Sequence, residues 1–141
     1  MARIEISLPS KFTFSTDIPI RTSNINRGGH LSWDSMFRIL DEARVQFWSS
    51  LGYPEMEDKK ISHITVDAGI NYKRQAFQGQ TLRVEIAASE FTDKGFDLVY
   101  RVTEVDSGSE IARAKAGNLC YDYQKQKVIR IPEELRNKLA R

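Results

Sequence analysis

Hydrophobic and polar positions follow two different periods along the chain, and each change of period marks a new element. Residues 12–20 alternate between apolar and polar side chains, which predicts a half-buried strand. In residues 33–51 the apolar positions recur every three or four residues, and further apolar residues widen this stripe beyond that of a surface helix. Ser32 is a natural N-cap, and Gly52 supplies the stop signal. The pattern predicts one long helix that is largely enclosed.

The rest of the chain returns to a period of two. Alternating runs cover residues 64–72, 82–88, 96–102 and 111–123. Short polar turns separate them, which predicts antiparallel hairpins between consecutive strands. Pro132 and the two acids after it indicate a short terminal helix. Because a curved sheet wrapped around a single apolar helix buries its stripe economically, we expect an α+β hotdog fold, a long central helix wrapped by a curved antiparallel sheet of five to six strands.

The composition of the chain limits the class of protein and its partners but does not indicate a function. The chain has 141 residues, 28% of them charged, and a net charge of +2, which predicts one globular domain over residues 1–141 and no nucleic-acid partner. Cys120 has no second cysteine to pair with and lies in an apolar run, so we expect a buried structural thiol and a reducing compartment. No segment approaches the roughly 18 apolar residues of a membrane span. We therefore expect a cytoplasmic protein without a membrane span.

Candidate chemistry concentrates between the first strand and the helix, in the segment NINRGGHLSWDS at residues 24–35. Gly28 and Gly29 precede the helix N-terminus, where unpaired N–H groups and the helix dipole stabilise negative charge. A plain strand-to-helix turn explains the two glycines equally well. His30 follows them, although a histidine at such a position is more often a packed residue than a catalyst.

Two acids on the predicted helix are candidates for activating water. Burial of Glu42 in an otherwise apolar helix would raise its pKa toward neutrality, where a general base works well. Asp34 lies eight residues earlier, about 80° away around the helix. The competing interpretations are that Asp34 only stabilises the helix dipole and that Glu42 only pairs with Arg38 or Arg44.

Three segments carry a resemblance to a known family. IPIRTSNINRGGHLSWDSMFRILDEARVQFWSSLGY resembles the first third of the 4-hydroxybenzoyl-CoA thioesterase-like family, INYKRQAFQGQTLRVE resembles its second strand, and RIPEELR resembles its usual ending. The resemblance covers nearly the whole chain. It implies hydrolysis of an acyl-CoA or acyl-carrier thioester to free acid and thiol. It also implies homodimers or homotetramers with active sites between subunits, and no metal or cofactor apart from the coenzyme A of the substrate.

The chain departs from this family at its proposed catalytic aspartate, a position that Asn26 occupies. An amide cannot ionise, so Asn26 can only donate and accept hydrogen bonds. The resemblance then leaves Glu42 or Asp34 to activate water and Asn26 to orient water or the thioester. In this interpretation the backbone N–H groups around Gly29 and His30 bind the oxyanion.

On the substrate side, the resemblance implies that Gly28, Gly29, Tyr72 and Arg74 contact the acyl-CoA. Tyr72 is expected to line an acyl pocket with Trp33 and Trp48, although helical spacing makes both tryptophans ordinary core residues. Basic strand residues are candidates for binding the phosphates of coenzyme A: Lys73, Arg74, Arg83, Arg113 and Lys115.

Other functions of the same fold remain open at this point. The missing aspartate makes a non-catalytic acyl-CoA or acyl-carrier binding module a reasonable alternative. A structural dimer without a ligand is disfavoured, because the junction is more polar than a turn requires. Hotdog hydratases and dehydratases carry a histidine-plus-acid signature that His30 and His63 do not match.

Overall fold

The computed structural model describes residues 1–53 and 61–141, with two α-helices, one short 3-10 helix (Thr22–Asn24) and six strands in this part of the chain. In chain order the strands and α-helices are β1 (Phe14–Pro19), α1 (Trp33–Ser50), β2 (Ile61–Tyr72), β3 (Thr81–Ser89), β4 (Gly95–Glu104), β5 (Glu110–Asp122), β6 (Lys127–Val128) and α2 (Glu133–Leu139). The predicted order of strand, long helix, four strands and short helix is confirmed. The two-residue strand β6 was not predicted.

Helix α1 begins and ends at the predicted signals. The Ser32 hydroxyl oxygen accepts a hydrogen bond from the Ser35 N–H at 3.3 Å. Gly52 has a φ of +82°, a left-handed conformation that glycine adopts without steric cost. The buried side of the helix packs against the sheet with Met36, Ile39, Leu40, Ala43, Phe47 and Trp48.

The strands form one antiparallel sheet in the order β1-β3-β4-β5-β2, and β6 pairs with β5. Side chains that alternate along β4, such as Leu98 and Tyr100, are buried in the core that also contains the apolar side of α1. The intervening residues, such as Asp97, belong to the opposite face of the sheet. The central helix covered by an antiparallel sheet is the predicted hotdog layout.

The predicted hairpin between residues 64–72 and 82–88 is wrong. β2 pairs with β5, whereas β3 lies between β1 and β4. Alternation of apolar and polar positions identifies a strand but not the strand that pairs with it. The burial of each strand shows whether it is central or at the edge of the sheet. Leu82 and Val84 of β3 are fully buried, as expected for a central strand, whereas β2 leaves Val66 55% exposed.

Strand β2 is an edge strand beside an exposed apolar surface. Within the described residues it pairs only with β5, and its pairing register shifts between Thr65 and Asp67, at a bulge that contains Val66. Trp33 is 73% exposed and Phe37 is 43% exposed. The prediction of Trp33 as a core residue is therefore wrong for the single chain, because the sheet covers only one side of the first helical turn. Trp48 is buried as that interpretation requires.

Cys120 is fully buried on β5, and burial raises the pKa of its thiol to about 11. A buried thiol with a raised pKa is a poor nucleophile, which agrees with the predicted structural role. No helix in residues 1–53 or 61–141 is long and apolar enough to cross a membrane.

His63 makes the stability of the fold dependent on pH. Its imidazole stacks on the Trp48 indole with ring centroids 4.4 Å apart, and its Nε2 lies 3.0 Å from Nη1 of Arg44. Burial, together with the Arg44 charge, lowers the pKa of His63 to about 4. Because a histidine in the unfolded chain has a pKa near 6.5, the unfolded state binds more protons between pH 4 and pH 6.5.

We therefore expect this residue to lower the free energy of unfolding by about 2 kcal/mol between pH 7 and pH 5. The stability is present above pH 6.5 and is lost as the pH falls. Urea denaturation of the wild type and His63→Gln at both pH values measures this contribution. An equal loss of stability in the two proteins would contradict the assignment to His63.

Candidate active site

The segment between β1 and α1, residues 24–32, forms a closed loop that we call the junction loop. The Asn26 N–H donates to the His30 carbonyl at 3.0 Å, and the Gly29 N–H donates to the Asn26 carbonyl at 3.1 Å. The Asn26 side-chain oxygen accepts from the Gly28 N–H at 2.9 Å and, more weakly, from the His30 N–H at 3.4 Å. Asn26 therefore holds the loop together with both its backbone and its side chain.

The prediction that backbone N–H groups of Gly29 and His30 bind an oxyanion is wrong for this conformation. Both groups already donate to Asn26, and so does the N–H of Gly28. Gly29 has a φ of +83°, so glycine is needed there for the backbone path of the loop. The two glycines shape a loop around the amide instead of offering free N–H groups.

The same hydrogen bonds fix the direction of the Asn26 amide. Because its oxygen faces the backbone N–H groups of the loop, its Nδ2 group lies on the other side. Asn26 is exposed, and this NH2 group donates to no acceptor in the part of the chain that the structure describes. Asn26 thus presents two N–H donors, a chemistry that stabilises a developing negative charge on oxygen.

His30 lies beside this amide with a defined tautomer. Its Nδ1 is 3.2 Å from the Leu31 carbonyl oxygen, which can only accept, so Nδ1 carries the proton. In the neutral form of this imidazole the lone pair is on Nε2, which has no hydrogen-bond partner among residues 1–53 and 61–141. A Cβ atom on Gly28 would lie 3.2 Å from this Nε2 and 3.3 Å from Oδ1 of Asn26. The imidazole base and the amide therefore border the same space above Gly28.

Asp34 and Tyr72 meet at the first turn of α1. Hydrogen bonds from the Ser32 hydroxyl and from the N–H groups of Asp34 and Ser35 lower the pKa of Asp34, so this exposed carboxylate stays ionised. The structure thus favours the interpretation of Asp34 as a stabiliser of the helix N-terminus. Tyr72 reaches the same turn from β2, since its hydroxyl donates to the Trp33 carbonyl at 2.5 Å. Burial and the charge of Asp34 raise the pKa of Tyr72.

Glu42 is exposed, so the prediction of a buried carboxylate at this position is wrong. It lies five residues after Phe37, about 140° around the helix, on a side that the sheet does not cover. Its predicted partner Arg44 instead pairs with Asp41 at 2.7 Å. Apolar residues lie on several sides of α1, so the sequence alone does not show which of its polar side chains face solvent.

A small groove opens between α1 and the sheet at the β2 edge, with a volume of about 110 Å³. Helix α1 and three strands of the sheet contribute its apolar and polar lining residues: Phe37, Leu40, Asp41, Arg44, Thr65, Ala68, Gly69, Tyr100, Ala114, Lys115 and Ala116. Glu42 is not among the residues that line it. The sequence did carry a signal for this groove, because the small side chains of β5 recur at every second position.

The remaining predicted substrate residue, Arg74, follows β2 directly. Its backbone N–H donates to the Ile111 carbonyl at 3.2 Å, and its side chain is exposed. No group of three or more His, Cys, Asp or Glu side chains among the described residues could hold a metal ion.

Comparison with known proteins connects this geometry to a family. The model of the Thioesterase-like superfamily matches residues 20–139. The chain belongs to this superfamily. The matched segment begins before the junction loop and includes α1 and β2, so the predicted family and its thioester hydrolase activity are confirmed.

Similar proteins agree with membership in the Thioesterase-like superfamily. Long-chain acyl-CoA thioesterase FadM of Escherichia coli is 27% identical over 128 residues, which cover 88% of this chain and 95% of FadM. The crystal structure of Slr0204, a 1,4-dihydroxy-2-naphthoyl-CoA thioesterase from Synechocystis, matches with a TM-score of 0.81 at 17% identity, over 90% of this chain and 95% of that one. The gentisyl-coenzyme A thioesterase BH1999 matches with a TM-score of 0.79 at 22% identity, over 89% and 99%.

Proposed function

We propose that this chain hydrolyses acyl-CoA thioesters at the junction loop. The acyl group lies in the groove between α1 and β2, and the thioester carbonyl lies in front of Asn26 and His30. One observation carries the proposal: Nε2 of His30 and the Asn26 amide, through its Oδ1 atom, border the same space above Gly28, and neither Nε2 nor the Asn26 NH2 group has a described protein partner.

Hydrolysis of a thioester needs a hydrogen-bond donor to the carbonyl oxygen, a general base and a water molecule. The Asn26 NH2 group donates to the carbonyl oxygen and stabilises the negative charge that develops when water attacks the carbonyl carbon. Nε2 of His30 accepts the proton that the attacking water loses. As the tetrahedral intermediate collapses, the carbon–sulfur bond breaks and the proton on His30 passes to the thiolate. The products are the free acid and coenzyme A.

A second copy of the chain completes the site in this proposal. β2 leaves one edge without a described partner strand, and Trp33 and Phe37 are exposed beside it. An edge strand next to apolar side chains is suited to pairing with another chain. A homodimer through this edge would cover both the groove and the first turn of α1 with residues of the partner.

The function is tested by measuring thiol release from a panel of acyl-CoA substrates with short, long and aromatic acyl groups. We expect release from at least one of them with saturation kinetics. Binding of a non-hydrolysable thioether analogue without any thiol release would instead support the alternative of an acyl-CoA binding module. If the protein neither releases thiol nor binds the analogue, both functions are contradicted.

The two glycines of the junction loop provide a matched pair of variants. Gly28→Ala places a methyl group against His30 and Asn26, so we expect kcat to fall about 10-fold, since small displacements of catalytic groups are costly. Gly29→Ala meets no atom within 4 Å but forces alanine to a φ of +83°, so we expect it to lower stability by about 1 kcal/mol with kcat less affected. Kinetics and urea denaturation of both variants check this, and an equal kcat for the two would contradict the proposed position of His30.

A further inference from the structure

The first residues of the chain form an arm that lies on the face of the sheet opposite α1. We call residues 2–7 the N-terminal arm. The side-chain oxygen of Asn71 accepts a hydrogen bond from the Ile6 N–H at 3.0 Å, and its NH2 group donates to the Ile4 carbonyl. A Cβ atom on Gly69 would lie 3.6 Å from a methyl group of Ile4, so the arm packs closely over β2. Asn71 therefore fixes the arm to the outer face of the edge strand.

The N-terminal arm lies outside the segment that the superfamily model matches, residues 20–139. After the arm, the chain continues across the outer face of the sheet. The Arg101 guanidinium on β4 lies over the Phe12 ring, 4.8 Å from its centroid, and the Thr13 N–H donates to the Ile86 carbonyl on β3 at 3.2 Å. A role of the arm is therefore not implied by membership in the superfamily.

Tyr72, the next residue after Asn71, is held from the opposite face of the sheet. Successive side chains of a strand point to opposite faces. Asn71 binds the arm on the outer face, whereas the Tyr72 hydroxyl donates to the Trp33 carbonyl at 2.5 Å, in the first turn of α1. The end of β2 is therefore held between the N-terminal arm and the helix.

The end of β2 also contacts the junction loop, through the segment that follows the strand. The Arg74 N–H donates to the Ile111 carbonyl of β5 at 3.2 Å. Two residues further on, the Ala76 carbonyl accepts a hydrogen bond from the Leu31 N–H at 2.7 Å. Leu31 follows His30, whose Nδ1 donates to the Leu31 carbonyl. A displacement of the end of β2 would therefore reach both the first turn of α1 and the proposed base.

We propose that Asn71 is a positioning residue of the active site, and that the N-terminal arm supports the end of β2 through its two hydrogen bonds to this side chain. With the arm bound, Tyr72 keeps its contact with the Trp33 carbonyl, so the first turn of α1 and the junction loop keep their place relative to β2. The arm contacts the outer face of β2 and leaves its edge open to the partner strand of the proposed homodimer. The effect on catalysis rests on the proposed function, whereas the support of β2 does not.

Amide hydrogen exchange tests the support of β2 without any turnover. Asn71→Ala removes both hydrogen bonds to the arm, and Ile6→Pro removes one of them from the side of the arm, because proline has no N–H. We expect the Arg74 and Leu31 N–H groups to exchange about fivefold faster in both variants, as for the loss of one hydrogen bond from the segment that contains their acceptors. Asn137→Ala removes the same side chain from an exposed position of α2 and is the matched control, with unchanged exchange expected. Unchanged exchange of both N–H groups in Asn71→Ala would overturn the inference.

Steady-state kinetics test the positioning role of Asn71. We expect Asn71→Ala to lower kcat for acyl-CoA hydrolysis about fivefold and to keep KM within about twofold, because a displaced helical turn misplaces the catalytic groups without removing a contact to the substrate. Tyr72→Phe deletes the hydroxyl through which Asn71 acts, so the double variant is expected to lose no more activity than Tyr72→Phe alone. Losses that multiply in the double variant, or a rise in KM without a fall in kcat, would contradict the positioning role.

The two measurements separate this inference from the proposed function. If the wild type releases no thiol but Asn71→Ala accelerates the exchange of the Leu31 N–H, the hydrolase function fails and the support of β2 by the arm stands. If the wild type is active and Asn71→Ala changes neither the exchange nor kcat, the inference fails and the hydrolase function stands.

Discussion

Replacing His30 by glutamine is expected to lower kcat for acyl-CoA hydrolysis about 1,000-fold, because a general base in this type of reaction contributes factors of 100 to 10,000. In the neutral imidazole Nε2 is the nitrogen with a lone pair free to accept a proton, since Nδ1 donates to the Leu31 carbonyl. A glutamine amide can keep the donor to Leu31 but cannot accept and release a proton at neutral pH. The loop is therefore expected to keep its fold while the chemical step is lost.

Glu42→Gln is the comparison that makes the His30 result specific. Glu42 is exposed and does not line the groove, so we expect its kcat to stay within about twofold of the wild type. Single-turnover kinetics of both variants, with the thermal midpoint of each as a control for folding, separate the two candidate bases. A large loss in Glu42→Gln together with near-normal turnover in His30→Gln would assign the base to the helix instead of the junction loop.

Asn26→Asp is expected to lower kcat about 100-fold, as found when a single donor to an oxyanion is removed from a hydrolase. The carboxylate keeps an oxygen to accept from the Gly28 and His30 N–H groups, so the loop remains closed. It replaces the outward NH2 donors by a negative charge next to the developing oxyanion. The substitution therefore changes the charge of the site and leaves its shape intact.

The same variant distinguishes this mechanism from the aspartate mechanism that the resemblance in the sequence implies. If a carboxylate activates water here, Asn26→Asp raises turnover instead of lowering it. The measurement is kcat over a range of pH, with circular dichroism spectra to show that the fold is unchanged. Increased turnover would contradict the role of Asn26 as an oxyanion donor.

The secondary structure could be predicted from the sequence because each element follows one period along its own length. The 3.6-residue stripe of α1 and the alternation of β3 to β5 are local properties of consecutive residues. Strand pairing is not local. The partner of β2 is β5, whose paired residues lie 40 (Tyr72 and Ala112) to 61 (Ile61 and Asp122) positions away along the chain, and no period encodes that choice.

The candidate site was located by the sequence, but the roles of its residues were not. The polar junction and its glycines pointed to residues 24–35, and Asn26 and His30 do lie together there. The sequence did not show that the N–H groups of Gly28, Gly29 and His30 donate to Asn26, because these hydrogen bonds form only when the loop is folded. The contact of the N-terminal residues with β2, through hydrogen bonds between the Asn71 side chain and the backbone of Ile4 and Ile6, was missed because these residues form no regular element of their own.

The bulge in β2 has a consequence for how two chains would pair in the homodimer proposed above. A straight edge strand of 12 residues would offer a continuous template on which further chains could pair without end, as in a fibre. At Val66 the extra residue bends the strand and interrupts its ladder of hydrogen bonds. An incoming strand can therefore follow only the segment on one side of that break, which favours a closed, self-limiting pairing over open-ended growth.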